Sequence, residues 1–197
     1  MDDPPDYEPG PEKSVAAIAA RTNRDPWEIS YDLLLADDGK EFLLHPYLNF
    51  GRGSYDGLYE MLRDPMTVQG LGDGGAHSAI VCDASMTTYL LTHWVRDRTR
   101  GPRLPLETAV RRLTRDPAEL YSLSDRGVLR PGARADVNLI EFDALRLRYP
   151  ERVTDLPAGA GRLVQHADGY VETIVAGETV VADGELTDAR PGRLIRG

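Results

Sequence analysis

The sequence predicts an α/β chain in which strands alternate with helices, followed by a final region of strands and turns. Three observations carry this. Residues 40–98 run strand, helix, strand, helix, the cadence of parallel strands linked by helices. A glycine-rich turn, Gly70-Leu71-Gly72-Asp73-Gly74-Gly75, closes the second of those strands. After Leu123 helical periodicity gives way to short strands and tight turns.

Each element has its own signal. Asp25-Pro26-Trp27-Glu28 reads as a helix start, with Asp as the cap, Pro at the first helical position and Glu reaching back. Leu33 and Leu34 fall on the face that carries Trp27 and Tyr31, and Gly39 ends the helix. The apolar run Phe42 to Leu48 is expected as a strand, and Leu58, Met61 and Leu62 as a brief helix closed by Asp64-Pro65. Thr67 to Leu71 is the second strand. Met86, Tyr89, Leu90, His93 and Trp94 recur at helical spacing, as do Leu106, Ala109, Val110 and Leu113, and Asp116-Pro117 repeats the start signal. Asp136 to Phe142 is a strand, Arg146 to Gly161 a long loop, and Tyr170–Val175 with Thr179–Ala182 a hairpin turning at Ala176-Gly177.

Composition narrows the function classes. Of 197 residues, 41% are hydrophobic and 28% charged, as in ordinary globular chains. The net charge of −9 argues against nucleic acid or an anionic membrane as partner, since either needs a basic face. No apolar run approaches the ~18–20 residues that span a bilayer. The acidic, proline-rich start is unlike a signal peptide. A single cysteine, Cys82, excludes an internal disulfide framework, and a cytoplasmic setting is expected.

The glycine turn is the first place where chemistry could sit. It matches the dinucleotide pattern G-x-G-x-x-G, but a carboxylate would lie among amides that must face a pyrophosphate. Two readings of Asp73 remain: a side chain at the loop end of a parallel strand, where barrel enzymes place catalytic groups, or the shaper of an Asp-Gly turn. His77, in the same loop, is a candidate pocket residue or a surface histidine. Asn49 is a candidate substrate contact or a residue capping the strand before it. His93, on the face of Tyr89 and Trp94, reads as packing.

Context beyond the turn favours the catalytic reading. Leu113 to Leu123, then Gly127-Val128-Leu129-Arg130-Pro131-Gly132-Ala133-Arg134-Ala135-Asp136, resembles the amidohydrolase superfamily signature where the barrel ends and the chain crosses into a β-sandwich. Gly72 to His77 with Cys82-Asp83-Ala84-Ser85, Asp155-Leu156-Pro157-Ala158-Gly159, Ala167-Asp168-Gly169-Tyr170 and Pro191-Gly192-Arg193 resemble its N-acyl-D-amino-acid deacylase branch. The resemblance implies a partial TIM barrel over residues 1–123, comprising strands 7 and 8 with their helices. Residues 124–197 would then be the C-terminal strands of a composite β-sandwich. It implies amide hydrolysis assisted by zinc, an N-acyl amino acid substrate, and Asp73 as general acid/base and one candidate metal ligand.

The departures are as specific. The family site uses His-x-His, a bridging Cys or carboxylated Lys, and two further histidines. The four histidines here, His45, His77, His93 and His166, include no His-x-His pair, and Cys82 follows the aspartate where the family's ligand precedes it. A full barrel needs roughly 200–250 residues. The expectation is therefore a C-terminal fragment or subunit. It would bind no zinc alone and act with a second chain carrying barrel strands 1–6, or be an inactive or scaffolding chain.

Overall fold

The computed structural model describes residues 2–46, 48–70, 72, 74–75 and 77–195. Helix α1 (Val15–Thr22) and α2 (Pro26–Gly39) form an N-terminal hairpin; α3 (Asp56–Arg63) follows a loop. Helix α4 (Met86–Tyr89) continues directly as a π-helix (Leu90–Asp97), and α5 (Leu106–Leu113) and α6 (Arg115–Leu120) complete the helical part. The β region then contributes β1 (Val137–Ile140), β2 (Arg146–Leu147), β3 (Glu151–Val153), β4 (Arg162–Val164), β5 (Ala167–Asp168), β6 (Tyr170–Val175), β7 (Glu178–Ala182) and β8 (Glu185–Leu186).

The core is built around the helix spanning positions 86–97. Leu90, Leu91 and Trp94 are buried with Tyr59 of α3, Leu104, Ala109 of α5 and Leu145 of the β region. Ile140, Phe142 and Tyr170 pack against the same cluster, so helices and sheet share one core. Arg96 reinforces the junction: its guanidinium donates to the Phe142 and Leu145 carbonyls, at 2.5 and 2.7 Å, and lies over the Phe142 ring. The Thr88 hydroxyl and Tyr170 phenol add a hydrogen bond of 2.8 Å. Burying a large apolar side chain such as Trp94 contributes roughly 1.5–3 kcal/mol.

Several local signals behave as written. Asp25 caps α2 by accepting from the Trp27 and Glu28 amides, with Pro26 in the first turn. The β6–β7 hairpin turns through Ala176 and Gly177, both in the left-handed region (φ 51° and 85°), the geometry a two-residue hairpin favours. The main sheet runs β1-β6-β7-β8, antiparallel throughout.

Two expectations need correction. Among the described residues, the expected strands at 42–48 and 67–71 carry no ladder, and every strand pair lies within 137–186 and is antiparallel. A strand exists through a neighbour that takes its backbone groups, and here those groups go elsewhere. The Phe42 amide donates to the Tyr149 phenol at 3.3 Å, and Arg112 donates to the Thr67 carbonyl. The face of α2 carrying Trp27 and Tyr31 is not covered: Trp27 is 82% exposed, and only Ile29 of that helix is buried. Second, the loop expected over 146–161 contains β2 and β3, which pair with β5 and β4. Strands of two or three residues are too short to show alternation.

Candidate functional site

Asp73 lies outside the described residues, as do Leu71 and Ala76. The glycines beside it locate the turn. A Cβ on Gly72 would stand 2.7 Å from Met86 Sδ and 2.8 Å from the Asp83 carbonyl; one on Gly74 would stand 3.0 Å from Ala84 Cβ. The backbone here presses onto residues 83–86, the entry to the central helix, at a separation only glycine permits. That contact is with protein, which argues against a phosphate cradle.

His77 and Asn49 sit apart from any network. His77 has left-handed backbone (φ 44°) and is exposed; its carbonyl accepts from the Ile80 and Val81 amides at 2.7 and 3.1 Å. Asn49, also exposed, occupies a left-handed bend (φ 64°) with no strand before it. Neither side chain makes a hydrogen bond among the described residues, so the structure does not bring the two together.

The loop that follows the glycine turn is clamped by the β region. The Leu163 amide donates to the Ser78 carbonyl (2.7 Å), and the Ser85 hydroxyl to Gln165 Oε1 (2.6 Å). Gln165 Nε2 in turn donates to the Tyr7 phenol at 2.8 Å. Burial pushes Tyr7 up to about 12. Burial first, then the Asp83 carboxylate, also raises the Cys82 thiol, which keeps it protonated and a poor nucleophile. Two buried polar atoms, Tyr89 Oη and Gln69 Oε1, have no hydrogen-bond partner among the described residues.

Sequence reasoning missed a buried charged centre. Glu8 is 1% exposed and accepts four hydrogen bonds: from Arg98 Nε and Nη2 at 2.9 Å each, the Tyr55 amide at 2.8 Å, and His93 Nε2 at 2.9 Å. Burial raises the Glu8 carboxyl, but the Arg98, Tyr55 and His93 hydrogen bonds outweigh it and hold it at about 2. Burial lowers His93 below the ordinary histidine range, against the pull of Glu8. A carboxylate only accepts, so the neutral imidazole carries its proton on Nε2. Arg98 is covered by Trp94, its guanidinium 4.7 Å from that ring, and also reaches Asp56 at 2.8 Å. His93 does lie among aromatic rings, stacked on Tyr89 at 4.6 Å, but its role is polar as well. The available signal was a charged Arg98 directly after an apolar helix face.

A zinc site does not fit the described residues. No three His, Cys, Asp or Glu side chains among them converge as metal ligands, where catalytic zinc needs about three protein ligands. His93 is spent on Glu8, and His166 lies 3.7 Å from Glu151 in the exposed β region.

Helices and antiparallel strands around one core, a glycine turn docked on a helix start, and a buried ion-paired centre all fall within one family match. The chain belongs to the amidohydrolase family, whose model matches residues 8–181. It is 30% identical to uncharacterized proteins of Mycobacterium tuberculosis and Mycobacterium bovis, over 93% of this chain and 32% of theirs. It is 39% identical to an N-acyl-D-aspartate deacylase of Alcaligenes xylosoxydans, over 53% of this chain and 19% of that protein. The chain thus spans about a third of the length of the mycobacterial relatives it matches. No solved structure matches it.

Proposed function

We propose that residues 42–48 and 67–71, which have no strand neighbour among the described residues, pair as the last two strands of a (β/α) barrel in a zinc-dependent amidohydrolase once strands 1–6 are supplied. Its substrates are N-acyl-D-amino acids or related amides. Residues 1–123 form the barrel part, and residues 124–197 the closing strands of a composite β-sandwich. The observation that supports the reading is the docking of Gly72 and Gly74, the sequence neighbours of Asp73, on Asp83, Ala84 and Met86 at the entry to the central helix.

In this reading Asp73 is the general acid/base. It takes a proton from the attacking water as oxygen bonds to the amide carbon. It then hands that proton to the leaving nitrogen as the C–N bond breaks, releasing a carboxylic acid and a free amine. His77 and Asn49 border the substrate. The missing metal ligands are assigned to barrel strands 1–6, outside these 197 residues, for instance on a second chain. The deacylase relative supports the substrate class. The alternative reading is a chain without catalysis of its own.

Reconstitution tests both. The chain is combined with a chain carrying barrel strands 1–6 in the presence of zinc, and amine release from N-acyl-D- and N-acyl-L-amino acids is measured. Turnover selective for the D-form supports the proposal. Asp73→Asn should then retain binding and lose about 10²- to 10⁴-fold in turnover; unchanged turnover refutes the role.

A further inference from the structure

We propose that the hollow beside α6 binds a small organic carboxylate, its head held by Arg115, Arg126 and Arg130 and its hydrocarbon part against Ala118, Leu123 and Val128. This site is independent of the reading of Asp73.

Charge distribution is the first observation. Residues 96–134 carry ten arginines against five carboxylates, in a chain whose net charge is −9. Three of those arginines line one hollow of about 610 Å³, within the range of small-molecule sites. Its single lining carboxylate is Glu119, paired to Arg115 through Nε at 2.6 Å.

Donor accounting is the second. A guanidinium offers five N–H donors. Arg115 spends one on Glu119, Arg126 two on Asp125 with its Nη1 also 3.9 Å from Asp136 Oδ2, and Arg130 one on the Ser124 carbonyl at 2.9 Å. The remaining N–H groups, and the Ser122 and Ser124 hydroxyls, have no hydrogen-bond partner among the described residues. These groups belong to residues lining a hollow that also presents Ala118, Leu123 and Val128, and that combination suits an anion with an apolar body better than a bare inorganic ion.

The third is preorganisation. Gly127 (φ 86°) lets the 125–128 loop lie against α6: a Cβ there would stand 2.8 Å from Ala118 Cβ and 3.0 Å from the Thr114 carbonyl. The Leu123 amide closes α6 by donating to the Ala118 carbonyl at 2.8 Å, and the Arg134 amide ties the loop back to Asp125 at 2.7 Å. The backbone that carries the lining residues is therefore held against α6, which lowers the ordering cost of binding.

The test is calorimetric titration of the intact chain with sodium octanoate, octanamide and inorganic phosphate. Saturable 1:1 octanoate binding is expected, with octanamide and phosphate each at least tenfold weaker. Arg115→Gln with Arg130→Gln should weaken octanoate at least tenfold at an unchanged melting temperature, and Arg130→Lys should weaken it less. Absence of saturable octanoate binding overturns the site, as does full binding by the double variant. Octanamide binding as tightly as octanoate removes the anion claim, and phosphate binding as tightly removes the apolar half.

Discussion

The Glu8 carboxylate and the Arg98 guanidinium, ninety positions apart, meet in a two-pronged pair with both contacts at 2.9 Å and both side chains sealed from solvent. The pair fastens the proline-rich N-terminal segment to the end of the central helix. Arg100 extends the fastening by donating to the Glu8, Pro9 and Gly53 carbonyls.

Removing one partner strands the other. Glu8→Gln should destabilise the fold by about 3–5 kcal/mol, because Arg98 keeps its burial and loses its main counter-charge. The double variant Glu8→Gln with Arg98→Met should cost less than Glu8→Gln alone. Urea unfolding of the three proteins measures both; a single-variant loss under about 1 kcal/mol would contradict the buried-pair account.

The same pair sets an acid limb. Glu8 is lowered in the fold, from an ordinary 4.5 to about 2. The unfolded chain therefore binds the proton first, and the stability Glu8 contributes is complete above about 4.5 and lost as pH falls toward 2. His93 is also lowered from its ordinary 6.5, so it too contributes stability above that value that declines as pH falls below it. Urea midpoints between pH 2 and 7 should fall in acid, and Glu8→Gln should flatten the lower part of the curve.

The glycine turn has graded tolerance. Gly72→Ala should destabilise by about 1–3 kcal/mol, since its Cβ meets the Met86 thioether and the Asp83 backbone below contact distance. Gly74→Ala, whose Cβ would stand 3.0–3.2 Å from Ala84 Cβ, N and Cα and below 3.0 Å from none, should cost less. Equal effects in thermal melts would place the close approach elsewhere.

Purified alone, the chain should hold well under one zinc per molecule, because no described ligand cluster reaches the three donors a catalytic zinc takes. Elemental analysis after dialysis is the measurement; one tightly held zinc per chain would overturn this and point to a site using His45, His77 or Cys82.

The chain should also self-associate. Trp27 and Tyr31, 82% and 66% exposed, stand with Leu34 and Leu35 on α2, and an apolar patch of that kind drives association. Light scattering during size-exclusion chromatography should show species above the 21.8 kDa monomer, shifting toward monomer in Trp27→Glu.

Legibility followed locality. Helix starts at Asp25 and the hairpin at Ala176-Gly177 are decided by a few adjacent residues, and both were readable. The packing of 86–97 was readable because apolar spacing reports a face. Strand identity at 42–48 was not, since it depends on a neighbour that local sequence does not name. The Glu8–His93–Arg98 centre was hidden for the same reason: Glu8 sits in an irregular segment, and its partners lie some ninety positions on. Asp73 was singled out by its turn and its family resemblance.

Gln165 links Ser85, Tyr7 and the Arg148 carbonyl through one amide side chain. With the shared core at Trp94 and Leu145, this interlocks segments from the start, middle and end of the chain. The residues on either side of position 123 therefore belong to one folding unit. Recombination at that point between distant relatives would have to import matched residues on both sides, and proteolytic nicking there should leave two halves that stay associated until denatured.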